Sequence, residues 1–62
     1  MKAAQIQFMT VSEVASSLRV STMTVYRLIN SGELPAARIG RSFRVRTADL
    51  EHFVADHFTR AG

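Results

Sequence analysis

The fold is decided by residues 10–32, TVSEVASSLRVSTMTVYRLINSG, which contain the start and stop signals of two short helices. Thr10-Val11-Ser12-Glu13 has the pattern of a capping box, in which the Thr10 hydroxyl accepts from the N–H of Glu13 and the Glu13 side chain reaches back. Apolar residues at positions 11, 14, 15 and 18 have the spacing of one helix face. These features predict a first helix over residues 11–18.

A second helix is predicted over residues 22–31. Ser21 is a residue type that is favoured as an N-cap, Gly32 allows a left-handed stop, and Pro35 prevents continuation. Positions 25, 28 and 29 face the core, and the opposite face is formed by Thr22, Met23, Tyr26, Arg27 and Asn30. Two short helices joined by about three residues form a helix-turn-helix.

Residues 36–46, AARIGRSFRVR, predict a two-stranded β-hairpin with a basic tip. Apolar positions 43 and 45 alternate with arginines at 44 and 46, which is the period of a half-buried strand. Gly40 can adopt the positive φ that a tight hairpin needs. Because an isolated hairpin is barely stable in water, we expect Ile39, Phe43 and Val45 to pack onto the helices.

A third helix is predicted over residues 48–58, with Thr47 as its cap and with Asp49 and Glu51 in its first turn, where they complement the helix dipole. Its apolar stripe contains Leu50, Phe53 and Val54. The predicted fold is therefore mainly α: a winged helix-turn-helix of three helices and a two-stranded wing over residues 9–58. Residues 1–8 are expected to form a flexible arm, and residues 59–62 a flexible tail.

Charge is distributed unevenly along this chain. The 62 residues, enough for one domain, include 8 Lys plus Arg against 5 Asp plus Glu, and no cysteine. No acid lies between Glu33 and Asp49, whereas the same segment contains Arg38, Arg41, Arg44 and Arg46. We expect one face to be turned towards a polyanion. We expect neither a secretory signal nor a membrane span, and we expect the protein to be cytoplasmic.

Catalytic and metal-binding functions are disfavoured. His52 and His57 are spaced i, i+5, which places them on different helix faces, and no third ligand is evident. The serines lack a base as partner. We therefore expect no enzymatic activity, no metal and no cofactor.

Several blocks together carry a resemblance to a known family: TVSEVA from Thr10, VSTMTVYR from Val20, GELPA from Gly32, IGRSFRV from Ile39, and Asp49-Leu50. Over about residues 9–54 the chain resembles the excisionase-type branch of the MerR-like winged helix-turn-helix proteins, and it is similar to small BldC-like actinobacterial regulators. The resemblance implies a double-stranded DNA ligand, the second helix in the major groove and the wing near the flanking minor groove.

The sequence departs from this family in two places. Family members often have Gly or Asn at the position of Arg19, where left-handed geometry is easy, so Arg19 predicts a slightly different turn. We also expect the protein to lack the long C-terminal helix of full MerR regulators, and with it the usual dimer seam and the effector domain. No small-molecule effector is therefore expected.

The residues expected to contact DNA belong to the second helix (Thr22, Met23, Thr24, Tyr26, Arg27) and to the wing (Arg38, Arg41, Ser42, Arg44, Arg46). The alternatives are a phosphate contact instead of guanine for Arg27, packing against the wing for Tyr26, and local capping for Thr24. The wing arginines fit a narrow minor groove, or alternatively an edge whose charge blocks aggregation. Arg38 and Arg46 are expected to add phosphate contacts, to a total of roughly 4–6 per protomer.

We expect the protein to act as a small transcriptional regulator, with further copies aligned head-to-tail on direct repeats. One alternative is an excisionase that bends DNA and recruits an integrase. Another is a protein-interaction module such as an antitoxin-like partner, although a protein interface would usually include an apolar or aromatic centre.

Overall fold

The computed structural model describes the backbone of residues 7–59 and the side chains of residues 7–57. Residues 1–6 of the predicted arm (1–8) and residues 60–62 of the predicted tail (59–62) lie outside this range, whereas Thr59 of that tail is the last residue of α3. The elements in chain order are β1 (Phe8–Thr10), α1 (Val11–Leu18), α2 (Thr22–Ser31), β2 (Ala37–Ile39), β3 (Ser42–Arg46) and α3 (Thr47–Thr59).

The capping box at the start of α1 is formed as predicted. The N–H of Glu13 donates to Thr10 Oγ1 at 3.1 Å, and the N–H of Thr10 donates to Glu13 Oε1 at 2.9 Å. These two bonds satisfy N–H groups that have no partner within the helix. The helix therefore begins at Val11, directly after β1.

The turn after α1 corrects one expectation. Arg19 adopts φ 61° and ψ 45°, the left-handed geometry that glycine or asparagine would adopt there, so the expected different turn is wrong. Its N–H donates to Ser16 O at 3.2 Å, and the N–H of Val20 donates to Ala15 O at 3.0 Å. These two bonds are those of a Schellman motif, so they favour the left-handed conformation even for arginine.

The second helix has the predicted bounds. Ser21 Oγ accepts from the N–H of Thr24 at 3.2 Å, and Gly32 ends the helix with φ 88°. The N–H of Gly32 donates to Ile29 O. Both helices of the helix-turn-helix thus end in a left-handed residue, one with glycine and one with arginine.

The sheet contains one strand more than the predicted hairpin. Its order is β1-β3-β2, and both neighbours of β3 are antiparallel to it. Phe8 pairs with Arg46, so position 8 of the predicted arm is part of the sheet.

The start of α3 differs from the predicted cap at Thr47. The helix begins at Thr47 itself, and the Thr47 hydroxyl donates to Gln7 O at 3.3 Å instead of capping. The strand and the helix are therefore joined without a loop.

The core lies between the helices and one face of the sheet. Its most deeply buried side chains are Val14, Val25, Leu34 and Val45, each with 0% exposure. Phe43 packs on this core, as do Phe53 and Val54 of α3. The expectation that Ile39 packs onto the helices is wrong, because Ile39 pairs with Ser42 next to the hairpin turn and remains 51% exposed.

Candidate nucleic-acid interface

The outward face of α2 forms a shallow hollow lined by Met23, Tyr26, Arg27 and Asn30. These residues follow the i, i+3, i+4, i+7 spacing of one helix face. Met23 is 76% exposed and Tyr26 44%, so this hollow presents two adjacent large side chains to solvent. Since the buried Val25 anchors the opposite face, this hollow is presented outwards by the packing of the helix.

A second hollow lies between α2, the wing and the start of α1. It is lined by the wing residues Arg41, Ser42, Phe43 and Arg44, by Tyr26, and by Thr10, Val11 and Ser12. Because Tyr26 lines both hollows, α2 and the wing form one continuous surface. No acidic side chain lines either hollow among the residues that the structure describes.

Tyr26 is oriented by the wing. Its ring meets the ring of Phe43 edge-on, with 6.1 Å between the centroids and 61° between the planes. Edge-to-face packing of this kind is the preferred arrangement of two aromatic rings. Tyr26 therefore packs against the wing and is still exposed on the surface that the two elements share.

The two threonines of α2 have different surroundings. Thr22 is exposed, whereas Thr24 is half-buried. The Thr24 hydroxyl lies 3.1 Å from Ser21 Oγ, so it takes part in the capping of the helix start. This geometry favours the capping alternative for Thr24, and its contact with DNA stays a prediction.

The tip of the wing presents Arg41 and Ser42. Gly40 has φ 63°, which allows the tight turn between β2 and β3. Further along β3, Arg44 is half-buried, and its Nη1 donates to Phe43 O at 3.2 Å. Arg41 and Ser42 are exposed, so the tip is more accessible than Arg44.

The remaining two arginines of the wing already have partners within the protein. Arg46 donates from Nε to Asp49 Oδ2 at 2.8 Å and from Nη2 to Asp49 Oδ1 at 3.3 Å. In this pair the Asp49 carboxylate neutralises part of the positive charge of Arg46 that would otherwise attract a phosphate. Arg38 places its guanidinium carbon 5.3 Å from the centroid of the Phe43 ring. The structure therefore separates these two arginines from Arg41.

Acidic side chains gather on another side of the molecule. Glu33, Asp49 and Asp56 line a third hollow together with Phe53, His52 and His57. His57 Nδ1 lies 2.9 Å from Phe53 O, and Nε2 lies 3.8 Å from Glu33 Oε1. Within residues 7–59, no cluster of three or more His, Asp or Glu is arranged to hold a metal ion. These three acids therefore do not line the hollows of α2 and the wing, although Asp49 reaches Arg46 of β3 and Glu13 lies beside Thr10 of the second hollow.

Five residues that line the two hollows were not among the predicted site residues: Asn30 in the first hollow, and Thr10, Val11, Ser12 and Phe43 in the second. Asn30 lies seven residues after Met23 on the same face, so the helix period alone places it in the first hollow. Ser12 enters the second hollow from α1. Its placement depends on how α1 packs against the wing, for which the sequence contains no local signal.

Comparison with known proteins identifies a helix-turn-helix family and relatives that are named as DNA-binding proteins. A family model described as a helix-turn-helix domain matches residues 8–57. Proteins from two strains of Mycobacterium tuberculosis, each named "Putative DNA-binding protein", are 51% identical over 59 residues, which is 95% of this chain and 76% of theirs. An uncharacterized protein of Bacillus subtilis is 52% identical over 44 residues, 71% of this chain and 14% of that protein. No solved structure was found to match.

Among the helices of residues 7–59, none has both the length and the apolar character needed to cross a bilayer.

Proposed function

This chain belongs to the helix-turn-helix domain family, and from that premise we propose that it binds duplex DNA with α2 in the major groove and the wing at the adjacent minor groove. The family is one of DNA-binding domains and not of enzymes, so DNA binding as such follows from membership. The observation that supports the docking geometry is the continuous surface of α2 and the wing, joined at Tyr26. An α-helix with its side chains is about 10–12 Å across, which suits a major groove about 12 Å wide, and the ten residues of α2 give it a length of about 15 Å.

Base reading is assigned to the exposed face of α2. Arg27 presents the two parallel donors that match O6 and N7 of guanine. Beside it, Met23 and Tyr26 provide apolar surface that fits the methyl group of thymine. Thr22 and Thr24 lie in the first turn of α2, where hydroxyls and free N–H groups favour phosphate.

Backbone contacts are assigned to the wing. Arg41 and Ser42 at the tip reach the minor groove or its phosphates, and Arg44 follows along β3. Arg38 and Arg46 complete the proposed set. The partners that these two have within the protein reduce the share of phosphate contacts they make.

The proposed biological role is that of a small transcriptional regulator of the MerR-like, BldC-like type. The resemblance in the sequence blocks supports it, and an excisionase that recruits an integrase is the alternative. The charges of the wing and of α3 support head-to-tail assembly on direct repeats, because a basic wing and an acidic α3 offer complementary surfaces. Footprints that stay at one site at every protein concentration would contradict this assembly.

Titration of the protein against random duplex DNA and its own upstream region, at two salt concentrations, tests the proposal. We expect salt-sensitive binding with a preference for the upstream region. Arg27→Ala should relax that preference by roughly 5- to 150-fold, the equivalent of 1–3 kcal/mol. Arg19→Ala is the matched control, because it removes the same charge from a residue that lines neither hollow. Failure of the wild type to bind either duplex at low salt would overturn the proposal.

A further inference from the structure

Three side chains connect the outer strand of the wing to α2. Arg38 on β2 lies over the ring of Phe43 on β3, at 5.3 Å from the ring centroid. The Phe43 ring in turn meets Tyr26 on α2, at 6.1 Å between centroids. Arg38 and Phe43 are also register partners across the strand pair, so the backbone places them opposite each other. These contacts therefore form a continuous row of packed side chains from β2 through β3 to the surface of α2.

We propose that Arg38 is a positioning residue for DNA binding: it holds Phe43 in place, and Phe43 fixes the orientation of Tyr26 and the angle of the wing to α2. This inference rests on the proposed function, in which Tyr26 and the wing contact the same duplex. It changes the role of Arg38, which the sequence assigns to a phosphate.

The wing needs such a contact because its outer strand is weakly held. All three residues of β2 are exposed, and its main neighbour is β3. Phe43 itself is only half-buried, so part of its ring is not covered by the core. A guanidinium group stacks well on an aromatic face, and its aliphatic stem covers further apolar surface. Arg38 thereby ties β2 to the aromatic side chain that touches α2.

A stacked arginine and a phosphate-binding arginine respond differently to salt. Removing an arginine that binds a phosphate makes the salt slope of log affinity shallower by about 0.9. Removing one that acts through Phe43 instead weakens binding through geometry and leaves the slope unchanged. The two roles also differ in what replaces arginine: stacking needs a side chain that covers the ring, whereas a phosphate needs positive charge.

Two variants at position 38 separate these roles, and a third removes both. Arg38→Met removes the charge but retains an unbranched side chain that packs well on an aromatic ring. Arg38→Lys retains the charge and lacks the flat guanidinium. Arg38→Ala has neither the charge nor the stacking surface. Tyr26 is the only tyrosine of the chain, so its ring protons report the Tyr26–Phe43 packing in the free protein by NMR.

The experiment measures the Tyr26 ring signals without DNA and the affinity for duplex DNA at several salt concentrations, for the wild type and the three variants. We expect Arg38→Ala to shift the Tyr26 signals and to weaken binding about two- to fivefold at an unchanged salt slope, in line with an exposed cation–π contact. Arg38→Met should restore both properties better than Arg38→Lys.

Unmoved Tyr26 signals in Arg38→Ala would overturn the inference. So would a salt slope that becomes shallower by about 0.9 and recovers in Arg38→Lys, because Arg38 would then contact a phosphate directly. Either result leaves the proposed function intact. A wild type that fails to bind DNA would overturn both, and the binding arm of the experiment identifies that case.

Discussion

Replacing Arg19 with glycine is expected to stabilise this protein. Arg19 ends α1 with φ 61° and ψ 45°, a conformation that costs an L-residue about 1–2 kcal/mol. Glycine removes this strain, but it loses more conformational freedom on folding, and this loss destabilises the folded state by about 0.5–1 kcal/mol. The net gain in the free energy of unfolding therefore lies between about 0 and 1.5 kcal/mol, with a central value of about 0.75 kcal/mol. The hydrogen bonds from the N–H groups of Arg19 and Val20 involve only backbone atoms and remain possible.

Thermal unfolding followed by circular dichroism measures the effect. In a domain of this size each kcal/mol corresponds to about 4–8 °C, so the central value corresponds to a rise in Tm of roughly 3–6 °C. Arg19→Ala is the control, because it removes the same charge and side chain but retains a Cβ in the left-handed region. An equal rise in Arg19→Ala would assign the gain to the missing charge, and a lower Tm in Arg19→Gly would refute the strain argument.

Three other substitutions test the structure at separate points. Gly32→Ala should destabilise by about 1 kcal/mol from backbone strain, since nothing lies within 4 Å of an added Cβ; an unchanged Tm would contradict the left-handed end of α2. Leu34→Ala, at a fully buried site, should cost about 2–5 kcal/mol; a loss below about 1 kcal/mol in urea unfolding would contradict its place in the core. Asp49→Asn releases Arg46 at a cost of at most about 1–2 kcal/mol. Anisotropy titrations should then show tighter DNA binding and a salt slope steeper by up to about 0.9, whereas an unchanged slope would mean that Arg46 does not reach a phosphate.

Features that depend on near neighbours in the chain were predictable. The capping box, the N-cap Ser21 and the stop at Gly32 each involve residues at most four apart, and they fixed the bounds of α1 and α2. The alternation that predicted β3 is local in the same sense. The face of α2 opposite Val25 could therefore be placed correctly from the helix period alone.

Features that depend on distant parts of the chain were not predictable. The strand β1 has three residues and no pattern of its own, and it exists because it pairs with β3 almost forty residues later. Thr47 was expected to cap α3, but Gln7 O comes within reach of its hydroxyl only once β1 is paired. Ile39 matches the strand pattern but lies too near the tip for the helices to cover it.

The wing shows why a count of arginines overstates the charge available to DNA. In the sequence, four arginines occur without an intervening acid, and all four were expected to contact DNA. In the structure Arg46 is paired with Asp49, Arg38 lies on Phe43, and Arg44 is half-buried with Nη1 donating to Phe43 O. Arg41 and Arg44 line the surface that the wing shares with Tyr26, and Arg41 is the more exposed of the two. An arginine engaged within the protein must leave its partner, or share it, before it can release a counterion from DNA. The salt slope should accordingly lie near the lower end of the value implied by 4–6 phosphate contacts, at about −4.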